Sequence, residues 1–195
     1  LLLGPWTPLL FQGQEFAAST PFLFFADHEA AVRKDVHEGR KKFLSQFPSI
    51  AAPATQEVLC DPGDEETFRR SRLDLDERQK YARFYDMFRD LTRLRSEDDV
   101  FHLRGEAGVD GAVLSDDAFV LRFFGHAGDR LLIVNFGADL FLAPAPEPLL
   151  APPAGQGWRV LFSSEDPRYD GSGTPDVQSD RGWCVPAEAA IALAS

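Results

Sequence analysis

Apolar positions in this chain change their spacing about halfway along. From Glu77 to Arg95 the residues Tyr81, Phe84, Tyr85, Phe88, Leu91 and Leu94 recur at intervals of three and four. That spacing predicts a helix with one core-facing stripe. Beyond it the pattern shortens. Asp117 to Phe124, the Gly125–Asp129 stretch and Arg130 to Phe136 read as a strand, a glycine-containing turn and a strand. Further strands are expected at Val100 to Arg104, Leu140 to Leu142, Trp158 to Phe162, Gly182 to Val185 and Ala189 to Leu193, and short strands broken by Gly and Pro suggest an antiparallel sandwich.

The first half is punctuated differently. Thr7 to Gly13 is a short apolar run bounded by Pro8 and Gly13, the pattern of a fully buried strand of a parallel sheet. Leu1-Leu2-Leu3, ended by Gly4-Pro5, reads as the last turn of a helix belonging to something longer. An aromatic-rich loop from Gln14 to His28 leads into an amphipathic pattern over Glu29 to Phe47, interrupted at Gly39. Residues 48–66 carry three prolines and Gly63 and read as loop, with Asp64 or Thr67 opening a short helical turn.

Charge divides the chain near residue 97. Residues 1–97 hold 14 Lys+Arg against 16 Asp+Glu, and 98–195 hold 6 against 15, so the two halves carry −2 and −9 of the total of −11. This asymmetry suggests two structural units, 1–97 and 98–195. The acidic balance also argues against nucleic acid or an anionic membrane as partner, since both need clustered Lys and Arg. A neutral, polyhydroxylated partner fits better. With 44% hydrophobic and 26% charged residues the composition is that of an ordinary globular protein. No apolar run reaches the roughly 18 residues of a spanning helix, and the expected compartment is the cytoplasm.

Little in the chain carries catalytic chemistry by itself. Cys60 and Cys184 are far apart and lack a metal-binding spacing, and His28, His37, His102 and His126 are scattered singly. No metal or cofactor is expected. Nucleophile-elbow, phosphate-loop and zinc-helix motifs are absent. Asp61 to Glu66 is acidic but lacks the spaced ligands of a calcium loop and reads as a solvated helix entry. The carboxylate of most interest is Glu15, in the Gly13-Gln14-Glu15-Phe16 stretch, because residues at the C-terminal ends of parallel barrel strands face the active site. Asp27-His28, after Pro21-Phe22-Leu23-Phe24-Phe25, offers either a saccharide contact among aromatic faces or the N-cap of the next helix. Glu15 in turn is either a substrate contact or a brace for a neighbouring loop. Glycoside hydrolysis needs two carboxyl groups about 5 to 9.5 Å apart, and no motif makes that pair here.

These residues carry a resemblance. The run Thr7 to Phe16, then Pro21 to His28, then Asp61-Pro62 through Thr67 to Asp74, is similar to the last barrel strand, its loop and the approach to the last barrel helix in the malto-oligosyltrehalose trehalohydrolase family of the α-amylase superfamily. The strand end Asn135-Phe136-Gly137 and the segment Val185-Pro186-Ala187 resemble that family's closing sandwich domain. The resemblance implies an α/β plus all-β architecture: the terminal strand and helices of a (β/α)8 barrel over 1–97, then an antiparallel β-sandwich over 98–195. It implies a glycosidase that releases trehalose from maltooligosyltrehalose, its nucleophile and acid/base lying upstream, so that no catalytic residue is assigned here and this chain alone is inactive. Its partners would be a maltooligosaccharide or trehalose-terminated glucan and the remainder of the barrel. Carried over as substrate-binding residues are Gln14, Glu15, Phe22, Phe24, Asp27 and His28, with the departure that the family often has Gly-Glu-Glu where this chain has Gly13-Gln14-Glu15. Two other readings stand beside it: a non-catalytic glucan-binding or structural module using Trp158 or Trp183, and the tail of another superfamily member such as a branching enzyme.

Overall fold

The computed structural model describes residues 1–195 except 53, 56, 57 and 103–107. It divides into two compact units, one formed by Leu1–Ala17 with Gln79–Ser195 and the other by Ala18–Arg78. This partition does not follow the charge boundary at residue 97, because helix and sandwich residues on either side of that point share one core.

The larger unit is a two-sheet antiparallel sandwich. Strands β1 (Val109–Ser115), β2 (Ala118–Phe123), β3 (Arg130–Asn135), β8 (Ala190–Ala194) and β5 (Arg159–Ser163) form one sheet in that order. Strands β4 (Leu140–Leu142), β7 (Gly182–Val185) and β6 (Gln178–Ser179) form the other. Between the sheets lies a core of Val120, Leu131, Ile133, Trp183, Val185, Ile191 and Leu193. The opposite face of the larger sheet is covered as well. Phe123, Leu132, Phe162 and Ala192 pack there with Leu3, Val100 and Phe101, and with Met87, Leu91 and Leu94 of the long helix. Burial on both faces explains why β3 reads as an unbroken apolar run, Leu131-Leu132-Ile133-Val134, with no alternation.

Helix α4 (Glu77–Lys80) and helix α5 (Ala82–Glu97) occupy the segment whose stripe predicts a single helix. Tyr81, at φ −109° and ψ 37°, leaves helical geometry and separates them. Most expected strands form, but Val100 belongs to a helical turn, α6 (Asp99–His102), not to a strand, and residues 103 and 104 fall outside the described set. The cause is Asp98, whose Oδ1 accepts from Val100 N and Phe101 N at 3.1 Å each, an N-cap that outweighs β-branched preference. Strand β1 escapes prediction because Asp110, Gly111 and Ser115 are poor strand formers. Pairing supplies what propensity lacks, since a Cβ on Gly111 would come within 2.8 Å of the Leu121 side chain.

The expected strand at Thr7–Gly13 is not formed. Among the described residues no strand pairs with it, and a parallel barrel strand exists only between hydrogen-bonded neighbours. Its side chains are correspondingly bare, Leu9 being 89% exposed. The opening Leu1-Leu2-Leu3 is a turn rather than a helix end, with Leu2 and Leu3 buried. Arg95 holds this segment down, donating to the carbonyl oxygens of Leu2, Gly4 and Trp6.

The smaller unit contains α1 (Ala30–Leu44), α2 (Pro48–Ala51) and α3 (Glu65–Arg70). Asp64 caps α3 through Glu66 N at 2.9 Å, as its position before an acidic first turn suggests. No residue of α1 is buried, so its apolar positions make a weak face only. No helix among the described residues is long and apolar enough to cross a membrane.

Candidate functional site

Gln14 and Glu15 stand on a 3-10 turn, Gln14–Phe16, in the larger unit. Gly13 enters it at φ 83°, Ala17 leaves it at φ 51°, and the fully buried Phe16 anchors it. Gln14 is occupied locally, its Oε1 accepting from Phe11 N at 3.2 Å. Glu15 is half-buried and opens onto a shallow hollow of about 390 Å³ that it shares with Leu10 and with Tyr85, Phe88, Arg89 and Thr92 of α5. The loop-bracing role does not materialise: among the described residues the Glu15 carboxylate accepts no hydrogen bond, while Arg89 and Arg93 pair instead with Asp86 at 2.8 Å and Asp90 at 3.2 Å. A half-buried carboxylate left without a partner beside a hollow is a ready acceptor for donor hydroxyls.

Phe22, Phe24, Asp27 and His28 share one loop of the smaller unit. Two anchors hold it. Leu23 N donates to Ser71 Oγ at 3.0 Å, and Ser19 donates to the buried Glu77 through both N (2.9 Å) and Oγ (2.5 Å). Ala26 N donates to Pro62 O at 2.9 Å. Phe22 and Phe24 remain largely exposed, Phe22 stacking on Phe25 at 5.9 Å and Phe24 lying under Arg40 at 4.6 Å. Asp27, fully exposed, lies 3.6 Å from Arg33 at the edge of a hollow of about 540 Å³ floored by Phe25, Pro62 and Phe68. His28 does not line that hollow; its carbonyl oxygen accepts from Arg33 Nε at 3.0 Å and its ring is exposed. The capping alternative for Asp27-His28 is not realised, because α1 begins after Glu29 with no side-chain cap.

The candidate residues therefore fall into two groups, Gln14 and Glu15 on one unit and the aromatic loop on the other. The anchors Ser19, Ser71 and Glu77 escape sequence reading, since nothing local couples a serine to a carboxylate 58 positions away. Of the tryptophans weighed as sugar platforms, Trp183 is buried in the sandwich core and is excluded, and Trp158 is half-buried with its Nε1 donating to Leu150 O at 2.8 Å. Among the described residues no group of His, Cys, Asp and Glu is placed to hold a metal ion.

Comparison with known proteins bears on the fold and on the sequence as a whole. Residues 106–180 match a family described as Domain of unknown function (DUF3459). The whole chain superposes on 29% of a candidate α-amylase from Salmonella typhimurium (TM-score 0.72, 24% identity), and on 37% of the trehalose-6-phosphate hydrolase of Bacillus licheniformis (TM-score 0.58, 14% identity). In fold the chain is therefore similar to a part of these α-amylase-type structures, with an antiparallel β-sandwich in its larger unit. Its sequence likeness is more particular. The chain is 45% identical over 144 residues to the malto-oligosyltrehalose trehalohydrolase of Deinococcus radiodurans, an alignment covering 71% of this chain and 22% of that enzyme. It is 39% identical over 125 residues to the enzyme of that name from Brevibacterium helvolum, covering 63% and 20%. The chain thus resembles the C-terminal portion of malto-oligosyltrehalose trehalohydrolase, and spans about a fifth of the length of these relatives.

Proposed function

We propose that this chain is the C-terminal part of a trehalose-releasing glycosidase. The whole enzyme hydrolyses the α-1,4 bond that joins trehalose to a maltooligosaccharide, with retention, in trehalose biosynthesis in the cytoplasm. Retention calls for two carboxyl groups about 5 to 5.5 Å apart. The nucleophile and the acid/base belong to barrel strands outside this sequence. Residues 1–97 are the closing segment of the barrel and 98–195 its appended sandwich.

The observation that carries the reading is the 45% identity to the Deinococcus radiodurans enzyme over 144 residues. The exposed apolar side chains of Trp6, Leu9 and Leu10 support it, because they suit a segment covered by neighbouring elements on both sides. In this account the free carboxylate of Glu15 accepts hydroxyl donors of the bound saccharide, and Gln14 fixes the turn that aims it. Phe22 and Phe24 form apolar walls, and Asp27 and His28 supply polar contacts.

The test compares trehalose release from maltotriosyltrehalose by residues 1–195 alone and by an intact enzyme carrying this region. The isolated chain is expected to release none, and Glu15→Gln in the intact enzyme to lower kcat/KM at least tenfold. Trehalose release by the isolated chain, abolished by Glu15→Gln, would overturn the assignment and make Glu15 catalytic.

A further inference from the structure

A second hollow, of about 560 Å³, lies in the sandwich between β5, the 3-10 turn Pro167–Tyr169 and the stretch 174–178. That volume is within the roughly 300–1,000 Å³ of ordinary small-ligand clefts. Its lining is unusual for a packing defect. Trp158 presents an aromatic wall at one side, while Asp166, Arg168, Thr174, Asp176 and Gln178 bring carboxylate, guanidinium, hydroxyl and amide groups to the others.

These groups differ in how far they are committed. Thr174 Oγ1 is held at 2.7 Å from Ser163 Oγ. Arg168 and Asp166 form a pair at the rim, 3.0 Å between Nη2 and Oδ2. The Arg168 amide, donating to Asp166 at 2.9 Å, together with the guanidinium, holds the Asp166 carboxyl below its usual range. Asp176 and Gln178 are different, for among the described residues neither side chain has a hydrogen-bond partner. A carboxylate and an amide free beside an aromatic wall form a set that accepts from and donates to vicinal hydroxyls while a sugar ring lies against the indole. The charge of −9 on residues 98–195 disfavours phosphate or other anions in this place. An apolar ligand would leave Asp176 and Gln178 desolvated without partners.

We propose that this hollow is a saccharide-binding site on the sandwich that takes a neutral α-1,4-linked glucan chain. The choice of α-linked glucose rests on the trehalohydrolase reading. The site shares no residue with the barrel-loop set and needs no hydrolysis, so it holds the enzyme on a longer glucan without taking part in the chemistry.

Maltoheptaose titrated into the 195-residue chain, followed by tryptophan fluorescence and calorimetry, tests this. Saturable binding is expected, weakened at least tenfold by Asp176→Ala combined with Gln178→Ala. Both side chains are exposed, so far-ultraviolet circular dichroism should not change. Phe141→Ala, on exposed β4 outside the hollow, should bind as the unaltered chain does. Affinity unchanged in the double variant, absence of binding by a natively folded chain, or preference for cellohexaose over maltoheptaose would each overturn the proposal. Because the readout is binding, failure of trehalose release in the intact enzyme would refute the catalytic reading alone and leave this one standing.

Discussion

The hydroxyl of Tyr169 donates to the carboxylate of Asp90 at 2.7 Å, tying the turn after β5 to the middle of helix α5. Asp90 is mostly covered and also pairs with Arg93 at 3.2 Å and with Arg168 at 3.7 Å. Tyr169 lies against Phe162 with ring centres 5.7 Å apart. Burial first, and the hydrogen bond to Asp90 second, push the phenol up from 10.0 to about 12. Since the folded state holds this proton more tightly than the unfolded chain does, Tyr169 contributes stability in full below pH 10 and loses it as pH rises toward 12. Tyrosinate absorbance should therefore show a late titration step, and Tyr169→Phe should remove it. A late step persisting in Tyr169→Phe would assign it elsewhere.

Asp98 does two jobs. Its Oδ1 caps α6, and its Oδ2 accepts from Arg130 Nε at 2.8 Å with both side chains largely buried. Asp98→Ala removes one partner of a covered ion pair and should cost about 3–5 kcal/mol, read as a lower urea midpoint at unchanged slope. A loss under about 1 kcal/mol, the usual worth of an exposed pair, would mean that Arg130 finds another acceptor.

Gly182 sits at φ 115°, and a Cβ there would lie 2.2 Å from the Leu142 carbonyl oxygen across the β4–β7 pair. Gly182→Ala should lower stability by more than about 1 kcal/mol, and amide exchange should accelerate first in β4 and β7. Val113→Ala, at a 78% exposed position, should stay within about 0.5 kcal/mol of the parent.

Ser19 gives the carboxylate of buried Glu77 two hydrogen bonds. Ser19→Ala removes the hydroxyl and should cost about 1–3 kcal/mol, with exchange rising over residues 18–28 and the sandwich unaffected. Uniformly faster exchange over the whole chain would contradict a local anchor.

The sandwich strands were the most legible part of the sequence, because doubly covered strands such as Leu131–Val134 announce themselves as apolar runs between glycine turns. Legibility failed where a distant or local partner outvoted propensity. Asp98 turns Val100 and Phe101 into a helix by capping it, and β1 survives on pairing despite Asp110 and Gly111. Thr7–Gly13 reads as a strand, yet a strand is a property of neighbours as well as of residues. Within the candidate site, the aromatic-rich loop was readable from Pro21 to Phe25, whereas the 3-10 turn Gln14–Phe16 was not. The anchors Ser71 and Glu77 were not, since their partners lie 48 and 58 residues away.

The central claim, that this chain completes a trehalose-releasing enzyme through the loop bearing Glu15, is tested most directly by trehalose release from maltotriosyltrehalose. The intact enzyme carrying this region should release trehalose, the same enzyme with Glu15→Gln should do so at least tenfold less efficiently, and residues 1–195 alone should release none. Full activity of the Glu15→Gln enzyme, or trehalose release by the isolated chain, would contradict the account.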